Sequence, residues 1–262
     1  MNGADPRFTS LFWAVWRRNL RVYRRIWAIN FLPPILEPVF YLLAFGLGFS
    51  GLVADVTWHG QAMGFTRFFA PALLAVTVMW QGYMETTYSS FVRMFYQKTY
   101  DALLATPLTL EEIIVAEIVW GATRSLIAAA LMLAVIAPFG FAPSLQALLV
   151  LPIAFFGGLV FGTLGMATTS VTPSIDMFNI PFFLVITPMF LFSGTFFPID
   201  ALPSWAAPWA VAMPLYHLTE LCRAACLGQL GISSLWNASV LLLVLVVFLP
   251  LSLAGMRRRL VR

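Results

Sequence analysis

Six apolar stretches of twenty residues or more fill this chain of 262 residues, at 29–49, 68–90, 113–137, 146–170, 177–196 and 236–256. The hydrocarbon core of a bilayer is about 30 Å thick, and a helix needs roughly 20 apolar residues to cross it. Every one of the six runs meets that length. With 61% of residues hydrophobic and only 10% charged, water cannot be the solvent for such a chain. The sequence predicts an all-α integral membrane protein of six transmembrane helices, because a helix satisfies its own backbone in lipid.

The spans leave no room for a soluble catalytic domain of ordinary size. The more polar intervals are residues 1–28, 91–112 and 197–235, and even these are rich in aromatics and leucine. Residues 1–28 read as a retained segment: their basic cluster precedes a full-length span, with no small-residue cleavage site after a short apolar core. The net charge of +4 is not a nucleic-acid signal. Twelve of the fifteen basic residues lie in three places, from Arg7 to Arg25, at Arg93 and Lys98, and from Arg257 to Arg262. By the positive-inside rule, both termini and the 91–112 loop face the cytoplasm. Two ends on one side need an even number of spans, which agrees with six.

Residues 8–27 have a helical period. Phe8, Leu11, Phe12, Val15, Trp16, Val22, Tyr23, Ile26 and Trp27 share one face, and Arg17, Arg21, Arg24 and Arg25 the other. An aromatic face opposite an arginine face describes a helix lying in the headgroup plane. The first span carries Pro33, Pro34 and Pro38, which predict an irregular helix, and Glu37, an intramembrane carboxylate that belongs on protein or in a wet cavity. In the fourth span Ala154, Gly158 and Gly162 recur every four residues, a spacing that lets helix backbones approach closely. The fifth span contains Pro181 and Pro188. Prolines 198, 203, 208 and 214 then divide the next segment into pieces too short to cross and too apolar to float, predicting a re-entrant outer hairpin.

The 91–112 interval is the most specific local feature. Residues 100–105 form a short helix stopped by Pro107, since the residue before a proline avoids helical dihedrals. Thr109, with Glu112 three residues on, is a capping box that opens the third span. A short helix held between two spans is either a structured connector or a lever for a cytoplasmic partner. Catalytic patterns are weak. Ser193, Asp200 and His217 have the residue types of a nucleophilic triad but no nucleophile elbow. Lys98 is the one lysine, and no glycine-rich phosphate loop precedes it. A membrane-embedded lipid-modifying enzyme, or a channel, is the competing class. Cys222 and Cys226 sit one helical turn apart, where a strain-free disulfide is difficult and apolar packing is expected.

The arginine-studded start, the Glu37-Pro38 pair, the Gly46-Leu47-Gly48 exit and the Phe69-Ala70-Pro71-Ala72-Leu73 opening of the second span resemble the permeases of ABC-2 type transporters. So does the loop with Leu103-Leu104-Ala105-Thr106-Pro107-Leu108-Thr109. The block Thr187-Pro188-Met189-Phe190-Leu191-Phe192-Ser193-Gly194-Thr195-Phe196-Phe197-Pro198 and the Arg257-Arg258-Arg259-Leu260 tail are similar to the nodulation-protein-J (NodJ-like) branch. The resemblance implies an ABC-2 exporter permease fold with an elbow helix at 1–28 and a six-span domain at 29–262. It implies a homodimer in the bacterial inner (cytoplasmic) membrane that works with an ABC ATPase subunit of NodI-like type. That partner would bind ATP and Mg; no cofactor or metal is expected on this chain. Nodulation-type members export lipo-oligosaccharides, and neighbouring branches export polysaccharides, lipid-linked glycans or hydrophobic drugs. Tyr100, Asp101, Leu104, Thr106, Pro107, Glu111 and Glu112 are then expected to couple to the ATPase. Glu37, Tyr41, Trp80, Tyr83, Phe190, Phe192, Phe196 and Phe197 are expected on the substrate path. The stacked phenylalanines at the fifth-span exit depart from the alanine or leucine that related sequences often have there, so the resemblance does not carry over a particular nodulation substrate.

Overall fold

A computed structural model describes residues 11–41, 43–44 and 55–260; the side chains of Pro34, Ile35, Glu37 and Pro38 fall outside that set. The expectations for Glu37 and for the Gly46-Leu47-Gly48 exit therefore lie outside the described residues. Helix α1 (Phe12–Arg25) leads into α2 (Trp27–Tyr41). The α2 backbone stays helical through its prolines, where an irregular span was expected.

A hairpin that the sequence reading did not anticipate follows: β1 (Val56–Trp58) pairs antiparallel with β2 (Gln61–Met63), Trp58 opposite Gln61. Its turn residues His59 and Gly60 both take positive φ, 48° and 78°. A two-residue turn of this kind matches the twist of the paired strands.

Helix α3 (Phe65–Met84) covers most of the expected second span. It continues as π-helical turns at Glu85–Ser89 and Val92–Tyr96, so the helix runs past the expected loop boundary at 91. Two threonines explain the first wide turn. Thr86 Oγ1 donates to the Gly82 carbonyl (3.0 Å) and Thr87 Oγ1 to the Tyr83 carbonyl (2.7 Å), competing with backbone amides for the same acceptors. Lys98, at φ 53°, then turns the chain sharply into α4 (Thr99–Leu104). The capping box forms as expected: Thr109 Oγ1 accepts from the Glu112 amide at 3.3 Å, and Glu112 Oε2 accepts from the Thr109 amide at 2.9 Å. It opens α5 (Leu110–Ile136).

Helix α6 (Val150–Val171) is the centre of the bundle, packed against α3, α5 and α11 (Ile232–Leu260). Its small residues permit this. A Cβ on Gly158 would stand 2.7 Å from Ala122 Cα, so the α5 and α6 backbones touch where any other residue would wedge them apart. Residues Ile175–Phe192 form one bent rod in which α7 (Asn179–Pro181), a π turn at Phe182–Ile186 and α8 (Thr187–Phe192) follow one another. It stops at Phe192, short of the expected 196, because the chain bends through Gly194 at φ 71°. The short helices α9 (Ala207–Ala212) and α10 (Pro214–Leu227) complete the chain between α8 and α11. Among the described residues, four helical segments are long and apolar enough to cross a membrane: Leu110–Phe139, Leu145–Val171, Ile175–Phe192 and Ile232–Leu260.

Candidate functional site

A buried charge network lies at the arginine-rich end of the bundle, where α1, the π turns after α3, α4 and α5 meet. Glu85, on the first π turn, is 2% exposed, and Glu117, one helical turn beyond the first turn of α5, is fully buried. An isolated carboxylate in such a place is costly, so each is paired. Arg93, on the second π turn, bridges both: Nη1 donates to Glu85 Oε1 at 2.7 Å and Nη2 donates to Glu117 Oε2. Arg124, two turns along α5 from Glu117, donates to Glu85 Oε2. Asn19 of α1 donates to the remaining Glu117 oxygen at 3.1 Å, so the surface helix is fastened to the network by a buried amide. Trp16 adds a second tie, its indole N–H donating to Thr123 Oγ1 at 3.0 Å.

Tyr100 inserts beside this network. It is fully buried among Phe91, Met94, Ile113, Ile114 and Phe178, and its hydroxyl lies 2.6 Å from Ser90 Oγ. Burial pushes the phenol well above its ordinary range, with the nearby Glu117 carboxylate adding to the shift. The ring therefore stays neutral and serves as a hydrogen-bonding peg. On the outer side of α4, Asp101, Leu104, Thr106 and Pro107 are exposed. Lys98 Nζ stands 3.9 Å from Asp101 Oδ2, and Glu111 is half-buried. Of the residues expected to face a partner, Tyr100 and Glu112 thus point inward, one as the peg and the other as the cap. Asp101, Leu104, Thr106 and Pro107 form a small exposed edge on a rigid base.

The family model for the ABC-2 type transporter matches residues 10–227. This chain belongs to the ABC-2 type transporter family. Nodulation protein J of Rhizobium leguminosarum bv. viciae is 36% identical over 249 residues, covering 95% of either chain. Nodulation protein J of Rhizobium meliloti is 32% identical over 247 residues, 94% of this chain and 93% of the relative. The inner membrane transport permease YadH of Escherichia coli is 22% identical over 245 residues, 91% of this chain and 93% of the relative. The family and the four apolar helices together make this a multi-pass membrane protein.

Among the described residues, the expected path residues of this ABC-2 chain take several separate positions. Phe190 and Phe196 meet edge to face at 5.1 Å, and Phe196 also meets Phe69 at 5.4 Å and Phe197 at 6.5 Å. Phe192 and Phe197 are exposed. Trp80 packs on Phe182 at 5.1 Å. Tyr83 is buried, its hydroxyl donating to Thr168 Oγ1 at 3.4 Å, and Tyr41 lies half-buried against the main core. The triad residues do not assemble either. His217 Nε2 donates to the Val211 carbonyl at 2.8 Å and Nδ1 lies 2.8 Å from the Asn237 side-chain amide, while Ser193 Oγ faces Met213 Sδ at 3.9 Å. Cys222 and Cys226 are free and buried in the core.

At the opposite end from the arginine-rich termini, Arg223 ties α10 to α3 and to the Gly194 turn, while its partner Glu220 holds the hairpin. It donates to Glu220 Oε1 at 2.5 Å, to the Phe68 carbonyl at 3.2 Å and to the Gly194 carbonyl at 2.8 Å. Its guanidinium lies 3.8 Å from the Phe68 ring centroid, and the Trp58 indole N–H donates to Glu220 at 3.1 Å. Arg93 was expected to orient the chain in the membrane, and Arg124 and Arg223 lie outside the three basic clusters that set that orientation. All three are ion-paired. Only the pairs near in sequence left a spacing to read, Glu220/Arg223 three residues apart and Glu85/Arg93 eight apart; the pairs to Glu117 and from Arg124 cross between helices.

Proposed function

We propose that this chain is the permease of an ATP-driven exporter. Two copies pair in the inner membrane, a separate ABC ATPase subunit docks on the cytoplasmic side of each, and an amphipathic molecule of the lipo-oligosaccharide or lipid-linked glycan kind leaves along a path between the copies. In this reading α2, α3 with its π continuation, α5, α6, the Ile175–Phe192 rod and α11 are the six spans. Both termini are cytoplasmic, and α9 with α10 is an outer hairpin that dips into the membrane. ATP and Mg belong to the partner. The name of the Escherichia coli relative, a transport permease, supports the transport reading.

One observation carries it: α4 has an outward edge at Asp101, Leu104, Thr106 and Pro107 and an inward peg at Tyr100. A push on that edge reaches the second span through Ser90 and the third through the Arg93 bridge to Glu117. An element with one face exposed and the other hydrogen-bonded to Ser90 and packed on Ile113 and Ile114 of α5 is built to transmit force. The substrate class is supported by the aromatic run at 190–197, whose faces suit acyl chains and sugar rings alike.

The test is gentle purification from native membranes with mass spectrometry of what accompanies the chain. A stoichiometric soluble subunit bearing a phosphate-binding loop is expected. Asp101→Lys, a charge reversal on an exposed interface edge, is expected to cut retention of that subunit about tenfold while leaving the permease folded. A pure homo-oligomer with no ATPase, or full retention by the Asp101→Lys protein, would sink the proposal.

A further inference from the structure

We infer that the cavity between α1, the π turns after α3 and α5 is a binding site for the phosphate headgroup of an anionic amphiphile. The cavity has a volume of about 540 Å³, and Arg18, Arg93 and Arg124 line it together with Val22, Ile26 and Trp120. The three guanidiniums face two carboxylates, Glu85 on the wall and Glu117 behind it. One positive charge is left over in a half-buried, low-dielectric place, where an anion is the group that neutralises it.

Donors remain for that anion. They are on Arg18; the Arg93 Nε, unpartnered among the described residues, is sealed from solvent behind the wall. Arg18 reaches only Asn19 Oδ1 at 3.3 Å and Thr99 Oγ1 at 3.4 Å, and no carboxylate of the described residues lies within ion-pair distance of it. Guanidinium forks match the tetrahedral oxygens of phosphate in both charge and shape. The position fits a lipid-borne group. The arginine-faced helix α1 marks the headgroup plane, and Val22 and Ile26 at the lip are 52% and 46% exposed. A space of this size takes a headgroup and leaves the acyl chains outside, against those two side chains. Arg18 also touches Thr99, the first residue of α4, so an occupied site adjoins the helix proposed to couple to the ATPase.

The test uses the full chain in detergent. Phosphatidylglycerol and phosphatidylcholine are offered in equal amounts, and bound lipid is counted by native mass spectrometry. One phosphatidylglycerol per chain is expected in preference to phosphatidylcholine. Arg18→Gln is expected to weaken it about tenfold, the scale of one charge-assisted hydrogen bond, and Arg18→Lys to restore most of the loss. Arg21→Gln, an exposed α1 charge outside the cavity, is expected to change nothing. Val22→Asp, which sets a like charge at the lip, is expected to weaken binding comparably and provides a second reading if Arg18→Gln does not fold. Inorganic phosphate that displaces the lipid in an Arg18-dependent way would identify the free anion as a sufficient ligand of the same site. Equal retention of phosphatidylcholine, or equal losses from Arg18→Gln and Arg21→Gln, would overturn the inference. Binding is read on the permease alone, so its failure leaves the ATP-driven reading standing.

Discussion

Replacing Tyr100 by Phe removes one oxygen from the base of α4 and keeps the ring. Tyr100 and Ser90 are both fully buried, and their hydroxyls are 2.6 Å apart. The substitution deletes that bond and strands the Ser90 hydroxyl away from water, a loss of about 1–3 kcal/mol. Helix α4 has only six residues, too few to hold themselves, so its docking rests on this peg and the apolar contacts around it. The population of undocked α4 should rise roughly 5- to 100-fold, since each 1.4 kcal/mol is a factor of ten. Amide hydrogen exchange over residues 99–104 in nanodiscs reads this directly. The decisive variant is the double one. Removing both hydroxyls with Ser90→Ala and Tyr100→Phe leaves no stranded polar atom, so the double variant should exchange no faster than either single one. If the two effects add, the hydroxyl pair is not what holds α4, and the case for a hydrogen-bonded peg fails.

Arg93→Met should cost on the order of 3–5 kcal/mol by leaving Glu117 buried with only the Asn19 amide. Adding Glu117→Gln should recover much of that loss in thermal unfolding, and an Arg93→Met protein as stable as the parent would refute the bridging role. Gly158→Val should lose roughly 1–3 kcal/mol or more, because even its Cβ would stand 2.7 Å from Ala122 Cα. The same change at Gly64, which has open space around it, should cost only about 1 kcal/mol or less in the same unfolding assay, the loss of a favoured N-cap residue on α3.

Much of the architecture was legible because lipid leaves the backbone few choices. Span length found the long helices, and the small-residue stripe found the close face of α6. The Thr109–Glu112 box fixed the start of α5 within three residues of the apolar run. What escaped notice was set by side chains acting on the backbone locally. Thr86 and Thr87 widen the helix at the Glu85–Ser89 π turn, and hydropathy is blind to that. The 56–63 hairpin hid because its strands are three residues each, and its turn is His59-Gly60 in place of the usual Asn-Gly signal.

The site was harder to read for a different reason. Reading arginines by their location explains which side of a membrane they face, but pairing depends on how far apart the helices lie. Arg93 reaches from the π turns after α3 to Glu117 on α5, and Arg124 reaches back from α5 to Glu85 on those turns. Both crossings require the two helices to be close, and glycine makes them so. A Cβ on Gly121 would touch the Gly82 carbonyl at 3.4 Å, and one on Gly82 would meet the Gly158 carbonyl at 3.0 Å. Gly82 lies three residues before Glu85, and Gly121 lies between Glu117 and Arg124. The glycines that let the backbones touch are therefore adjacent in sequence to the charges that cross between them. A larger residue at Gly121 should strain the ion pairs before it disturbs the apolar core, because the carboxylates have no water to fall back on.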